Sequence, residues 1–261
     1  MLQEERYEKI LSLLKEKRHI TVEQVHKTFP ISASTVRRDF RELVDRNLAR
    51  RSRGGISLLT GVKENGKNIP FDLRRVTHTK EKEKLGTAAA SLLQPYQTIF
   101  IDGGTTTLQL ARFLPKIPLT IITNSIPHVM MMIEHHRDNP NLEIYTAGGY
   151  VYVSWNVNLG PQARYCLAQY HADYAFMSAR GINKEGVYNH NEMVVEIERV
   201  MIENADRVVF MMDHSKIGER SMSFICGNND IDILITSKND GKKSFLDFFR
   251  ESGIEVMEVE I

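Results

Sequence analysis

Cysteine is nearly missing from this chain: Cys166 and Cys226 are the only two in 261 residues. So few, so far apart, they build neither a disulfide framework nor a zinc site, and both read as buried thiols. The nine histidines, His135, His136, His171, His190 and His214 among them, fall at no metal-ligand spacing, so no metal is expected. No apolar run approaches the roughly 20 residues that span a bilayer, and the first apolar positions, Tyr7, Ile10, Leu11 and Leu14, are interleaved with charge. A cytoplasmic protein with no membrane partner is expected. The common nucleotide signatures are also lacking, because Gly103-Gly104 is followed by no Gly-Lys-Ser/Thr ending and no third glycine at the dinucleotide spacing. No cofactor is expected.

What is present is an ordinary apolar content of 42% and an uneven distribution of charge. The net charge is only +1, yet residues 1–60 hold 13 Lys and Arg against 8 Asp and Glu. Seven arginines fall between Arg37 and Arg53. A nucleic-acid backbone rewards a patch of that density through counterion release, whereas without a partner it is a solvated basic surface.

The periodicity of the first sixty residues predicts a winged helix-turn-helix. Tyr7, Ile10, Leu11 and Leu14 put one apolar face on a helix over residues 3–16. Thr21 and Gln24 match a capping box for a second helix, which Phe29-Pro30 ends because proline disfavours helical geometry before it. Ser32 is a suitable N-cap for a third helix, with Val36, Phe40, Leu43 and Val44 inward and Ser34, Thr35, Arg37, Arg38 and Arg41 on other faces. Hydroxyls followed by arginines suit a recognition helix in a major groove, where Arg can fork onto guanine. Two short strands around Arg53, Gly54 and Gly55 would form the wing. Ser32, Ser34, Thr35, Arg37, Arg38, Arg41 and Arg53 are therefore the candidate contacts to double-stranded operator DNA. Three-helix units also serve as protein-interaction modules.

Residues 61–80 are polar, broken by glycine and proline, and read as a linker between a domain at 1–60 and one at 81–261. From residue 81 onward the pattern alternates. Helices are expected near 81–93, 105–114, 125–136, 161–169, 191–204 and 243–252. Strands are expected at 98–101, 119–122, 142–146, 172–177, 208–212, 231–235 and 254–259, which makes a mainly parallel α/β sheet with helices on both faces.

Ligands of open α/β sheets sit beyond the carboxyl ends of the strands. The first such exit, Asp102-Gly103-Gly104-Thr105-Thr106-Thr107, reads as a strand, a tight turn and a helix. Its glycines are free in backbone angle, and its N–H groups and hydroxyls can hold an anion. Asp102 would repel phosphate but can read hydroxyls, or else fix the turn. With Asn124, Arg180 and Lys216 at other exits, the set matches a phosphorylated sugar or sugar alcohol. A turn between a strand and a helix is the structural alternative at Gly103-Gly104, and likewise at Thr123 to Ser125 and Gly148-Gly149. The methionines of Ile126-Pro-His-Val-Met-Met-Met-Ile133 read as core packing. Tyr150 to Asn158, with the only tryptophan, reads as a segment that shapes the pocket or a subunit contact.

The run Ile31-Ser-Ala-Ser-Thr-Val-Arg-Arg-Asp-Phe-Arg-Glu-Leu43, followed by Arg50-Arg-Ser-Arg-Gly-Gly55, resembles the signature of the DeoR family of bacterial sugar-metabolism regulators. The resemblance continues through Phe71-Asp-Leu-Arg74, Glu83-Lys-Leu-Gly86, Asp102 to Thr107, Thr123-Asn-Ser125, Gly148-Gly149, Gly160-Pro161 and Asp213-His-Ser-Lys216. It implies a sheet related to sugar-phosphate isomerases and a repressor of a carbohydrate operon, working as a homo-oligomer under a phosphorylated metabolite. Members usually carry serine where this chain has His214, a small residue or glycine near Ser178, and a basic residue near Glu198. The other reading is a sugar-phosphate isomerase with a DNA-binding appendage. Asp102, Asp173, Glu192 and Asp213 would then be the available bases.

Overall fold

The computed structural model describes residues 3–45, 48–58 and 71–261, and the chain divides into two compact units, Met1–Thr79 and Lys80–Ile261.

In the first unit α1 (Gln3–Lys17) leads through β1 (His19–Thr21) into α2 (Val22–Thr28) and α3 (Ala33–Asp45). The wing is β2 (Arg50–Ser52) and β3 (Gly55–Ser57). Thr21 and Gln24 form the expected capping box, and His26 Nδ1 meets the Ile31 carbonyl at 2.6 Å, which holds the turn into α3. Tyr7, Ile10, Leu14, Val25, Val36, Phe40, Leu43 and Ile56 close one core. Short strand β1 was not foreseen. It pairs antiparallel with β3, so the wing is the edge of a three-stranded sheet. Gly55 permits that pairing, since a Cβ there would lie 1.9 Å from the Ile20 carbonyl oxygen.

Of the expected linker, residues 61–70 lie outside the described residues. The remainder is more ordered than its polarity suggested. α4 (Phe71–Arg75) buries Phe71, and Val76 packs against the core of the first unit.

The second unit begins with α5 (Thr79–Ala90), whose first residue ends the first unit, and continues β4 (Gln97–Ile101), α6 (Thr107–Arg112), β5 (Leu119–Thr123), α7 (Ile126–His135) and β6 (Leu142–Thr146). A hairpin of β7 (Tyr150–Tyr152) and β8 (Val157–Leu159) precedes α8 (Pro161–Leu167) and β9 (Ala172–Met177). Then come β10 (Gly181–Asn183), β11 (Gly186–Asn189), α9 (Glu192–Glu203), β12 (Ala205–Met212) and β13 (Ser223–Cys226). β14 (Ile233–Ser237), α10 (Lys243–Glu251) and β15 (Glu255–Val259) complete the unit. Seven strands form one sheet in the order β15-β14-β12-β9-β4-β5-β6, and every pairing within it is parallel.

Residue alternation assigns the two faces. Phe100, Ile122, Ala175, Met177, Phe210 and Leu234 pack with α8, α9 and α10. Ile99, Ile101, Ile121, Phe176, Val209 and Ile233 pack with α5, α6 and α7. The chain winds outward from β4 through β5 to β6, then returns to the other side of β4 at β9, so the strand order reverses between β4 and β9. At such a switch point open α/β sheets bind their ligands, beyond the carboxyl ends of the strands. The β7-β8 hairpin and the antiparallel sheet β10-β11-β13 lie outside the main sheet and were not foreseen as strands.

Candidate functional site

On the first unit, α3 buries Val36, Asp39, Phe40 and Leu43 and leaves Arg37, Arg38 and Arg41 exposed. Arg53 is exposed at the tip of the wing. None of these four arginines has an ion-pair partner among the described residues. The hydroxyls are less available than the arginines. Ser32 Oγ accepts the Thr35 N–H at 3.2 Å and meets Ser34 Oγ at 2.8 Å and Thr35 Oγ1 at 2.9 Å, so the three close a cap at the start of α3. Asp39, absent from the expected contacts, holds α3 from behind. Its carboxylate receives Arg6 Nε at 2.8 Å and Arg6 Nη2 at 2.9 Å, a buried fork that joins α1 to the helix carrying the arginines.

On the second unit, four neighbouring strands, β12, β9, β4 and β5, end at one edge. Their exits carry Asp213 to Lys216, Ser178 to Arg180, Asp102 to Thr107, and Asn124 to Ser125. The expected effector residues thus share one edge and flank the switch point. Arg180 is half-buried with no ion-pair partner among the described residues, and Lys216 is half-buried beside it in strand order.

The loop after β4 differs from expectation in three ways. Neither Gly103 nor Gly104 has a positive φ; glycine is needed there for space. A Cβ on Gly103 would fall 2.4 Å from Val157 Cγ1, and one on Gly104 would fall 3.0 Å from Ser178 Cβ. Thr107 belongs to the turn itself, because its hydroxyl donates to the Asp102 carbonyl at 2.7 Å and accepts the Gly104 N–H at 2.9 Å. The turn is therefore fixed by Thr107 and the backbone of Asp102. Third, α6 has only six residues and Thr106 makes no side-chain cap, so its dipole is small. The hydroxyls of Thr105 and Thr106, both buried, form no hydrogen bond among the described residues.

The segment 126–133, read as core packing, is largely not core: Met132 is buried but Met130, Ile126 and Ile133 are exposed, and the buried His128 ties two exits together. Fully buried, it meets Ser125 Oγ through Nδ1 at 2.6 Å and Thr107 Oγ1 through Nε2 at 3.2 Å. Burial pushes its imidazole down to about 3, partly opposed by hydrogen bonding to Thr107. The hairpin covers the same loops. Asn158 N–H donates to the Asn124 carbonyl at 2.7 Å, Ile126 N–H donates to Asn156 at 3.1 Å, and Trp155 packs its ring edge-on to His190 at 4.7 Å.

The carboxylates sort by position. Asp173 lies at the opposite end of its strand, where it accepts the Thr98 N–H at 2.7 Å, and Glu192 is exposed on the first turn of α9. Asp213 accepts from Ser215 N–H at 3.1 Å and caps the 3-10 turn that carries Lys216. His214 turns away to Glu81, with Nδ1 at 2.9 Å. Glu198, which was not among the expected site residues, is fully buried and accepts from Asn189 Nδ2 at 2.6 Å. Burial, reinforced by the charge of Asp102, raises its carboxyl well above the usual range. Its signal in the sequence is a lone acid on an apolar stripe, four residues after Val194 and three before Met201.

Comparison with known proteins matches both units. A DeoR-like helix-turn-helix domain covers residues 6–61 and a DeoR C terminal sensor domain covers residues 77–238. The HTH-type transcriptional repressor GlcR of Bacillus subtilis (strain 168) is 33% identical over 260 residues, spanning 100% of this chain and 98% of that protein. The HTH-type transcriptional regulator GolR of Listeria innocua is 32% identical over 254 residues, 97% of each. Among solved structures, ribose 5-phosphate isomerase A from Methanocaldococcus jannaschii aligns at a TM-score of 0.39 and 17% identity over 54% of this chain and 55% of that one. No described helix is long and apolar enough to cross a membrane. With both domain types matched in order, and relatives matched from end to end, the chain belongs to the DeoR family.

Proposed function

We propose that this chain is a DNA-binding transcriptional regulator, a repressor of a carbohydrate operon, controlled by a phosphorylated sugar or sugar alcohol bound at the carboxyl edge of the β12-β9-β4-β5 strands. The observation that carries the reading is the set of four exposed arginines, Arg37, Arg38, Arg41 and Arg53, on the third helix and wing of a helix-turn-helix, with no ion-pair partner among the described residues. Each phosphate they neutralise contributes about 0.9 to the slope of log affinity against log salt. In the second unit Arg180 and Lys216 supply positive charge for a phosphate, Thr105 and Thr106 supply hydroxyls, and Asn124 and Asp102 face the polar remainder of the ligand.

The protein works in the cytoplasm as a homo-oligomer, because a two-part operator requires paired recognition helices. An effector that binds the DNA-competent and DNA-free assemblies unequally changes operator affinity by the same factor, typically about 5- to 150-fold. No catalytic turnover is part of this function. The relatives matched end to end are named as regulators, which supports binding without chemistry.

The test is selection of bound sequences from random duplexes by the full chain, followed by titration of the selected DNA with and without phosphorylated sugars. Enrichment of a two-part sequence whose affinity responds to one such compound is expected. Uniform binding of all duplexes would overturn the regulator, and sustained isomerisation of a sugar phosphate, lost in Asp102→Asn, would replace it with an enzyme.

A further inference from the structure

Glu198 sits within an apolar stripe of α9 formed by Val194, Val195, Ile197 and Met201, and is fully buried. Its Oε1 is engaged by Asn189, while Oε2 has no hydrogen-bond partner among the described residues. Asn124 Oδ1, also fully buried, is in the same condition. Buried polar atoms are almost always paired, so two bare ones call for a polar group from outside the chain. Both belong to one neighbourhood. Asn124 Oδ1 stands 3.6 Å from where a Cβ on Gly103 would be, Gly103 follows Asp102, and the charge of Asp102 acts on Glu198.

Burial and the charge of Asp102 both push the Glu198 carboxyl up from the usual carboxylate range, so charge on this buried group is disfavoured. Oε1 is taken by the Asn189 amide, which leaves Oε2 to meet a ligand, and Asn124 Oδ1 is a second oxygen in need of a donor. A chain of hydroxyls satisfies both, since each hydroxyl gives one proton and accepts another. A carboxylate on the ligand would offer Asn124 no donor and would add a second negative charge beside Asp102. Arg199 offsets this only in part: its charge is the smallest of the influences on Glu198, and its guanidinium is hydrogen-bonded to the carbonyls of Phe224 and Ile225.

Resting on the sensor reading above, we propose that Glu198, with Asn124 and Asp102, sets the effector class: an uncharged polyhydroxyl chain carrying a phosphate, with the phosphorylated sugar acid of the same length rejected. The opposing choice is built from the same atoms, since selectivity comes as much from what a site repels as from what it holds.

The experiment is calorimetric titration of the full chain with matched pairs: aldose, ketose and alditol phosphates of five and six carbons, each against the aldonic acid phosphate of equal length, together with an amino sugar phosphate. One neutral compound is expected to bind at least about tenfold tighter than its acid. Glu198→Lys is expected to close or invert that gap, and Glu198→Gln, which keeps an uncharged donor and acceptor, to preserve it at lower affinity. An acid bound as tightly as its neutral counterpart, or an amino sugar phosphate bound best, overturns the inference and leaves the sensor reading standing. Absence of binding by every compound overturns both. Should Glu198→Lys not fold, as judged by Trp155 fluorescence, Asn124→Ala serves instead. It is expected to weaken the neutral compound about tenfold and leave the acid unchanged; equal effects on the two refute the assignment.

Discussion

Acid should weaken the second unit through His128, and the size of the effect can be worked out. The imidazole is fully buried between Ser125 and Thr107, which holds it neutral in the folded protein down to about pH 3. Its value in the unfolded chain is the ordinary 6.5. A lowered folded value means that the unfolded chain binds more protons below pH 6.5, so stability present at neutral pH is lost as pH falls through 6.5 toward 3. Between pH 7.5 and pH 5 the linkage relation gives a loss of about 2 kcal/mol, which for a unit of this size lowers the melting temperature by about 4 to 8 °C. Trp155 is the only tryptophan and is buried in the second unit, so its fluorescence follows unfolding of that unit in the intact chain. Urea titrations at pH 5.0, 6.0 and 7.5 should show the loss in the wild-type protein. In His128→Gln the same titrations should lack about 2 kcal/mol of it, with every other titrating group cancelling in the comparison. Equal pH dependence in the two proteins would refute the claim that His128 is the neutral pin between the β4 and β5 exits.

Other substitutions separate structural from contacting residues. Asp39→Ala leaves the Arg6 guanidinium without its buried fork and should destabilise the first unit by about 3 kcal/mol, measured by circular dichroism melting or amide exchange; a change below about 0.5 kcal/mol would mean that water replaces the pair. Arg37→Ala and Arg38→Ala should each weaken operator binding, by about 1 to 3 kcal/mol for a bidentate base contact, whereas a phosphate contact weakens all sequences alike and reduces the salt slope by about 1. Unchanged affinity in both variants rejects the recognition-helix assignment. Thr105→Trp should abolish the metabolite response and spare DNA binding. Thr107→Val should cost about 1 to 3 kcal/mol of stability in the second unit, because its hydroxyl is bonded on both sides of the turn; retained stability would return Thr107 to the ligand contacts.

Much of the architecture is legible in the linear order because its signals are local. The inner strands of the main sheet, β14, β12, β9, β4 and β5, are largely buried and read as short apolar runs, the edge strands β6 and β15 interleave apolar with polar residues, and the helices between them carry a 3.6-residue period. The capping box at Thr21, the stop at Phe29-Pro30 and the arginines of α3 and the wing likewise depend on neighbours a few positions away. The three-residue strands β1, β7, β8 and β10 carry no such period. Each exists because a partner strand meets it, as β1 meets β3 across some thirty-five residues.

The candidate site divides along the same line. Residue types at the strand exits identified Asp102, Thr105, Asn124, Arg180 and Lys216 as members of one edge, because a parallel α/β alternation sends every exit to the same side. Sequence could not say which carboxylate lies at the exits of the strands, that Asp173 lies at the far end of its strand, or that Thr107 and His128 serve the turn. It marked Glu198 only as a departure from the basic residue usual in the family, because an acid on an apolar stripe acquires its meaning from Asn189 beside it and Asp102 nearly a hundred residues away. Backbone periodicity and chain order determined the fold and the edge that gathers the candidate site residues. Burial, hydrogen-bond pairing and charge proximity, which exist only once distant segments are packed, decided what each side chain at that edge does.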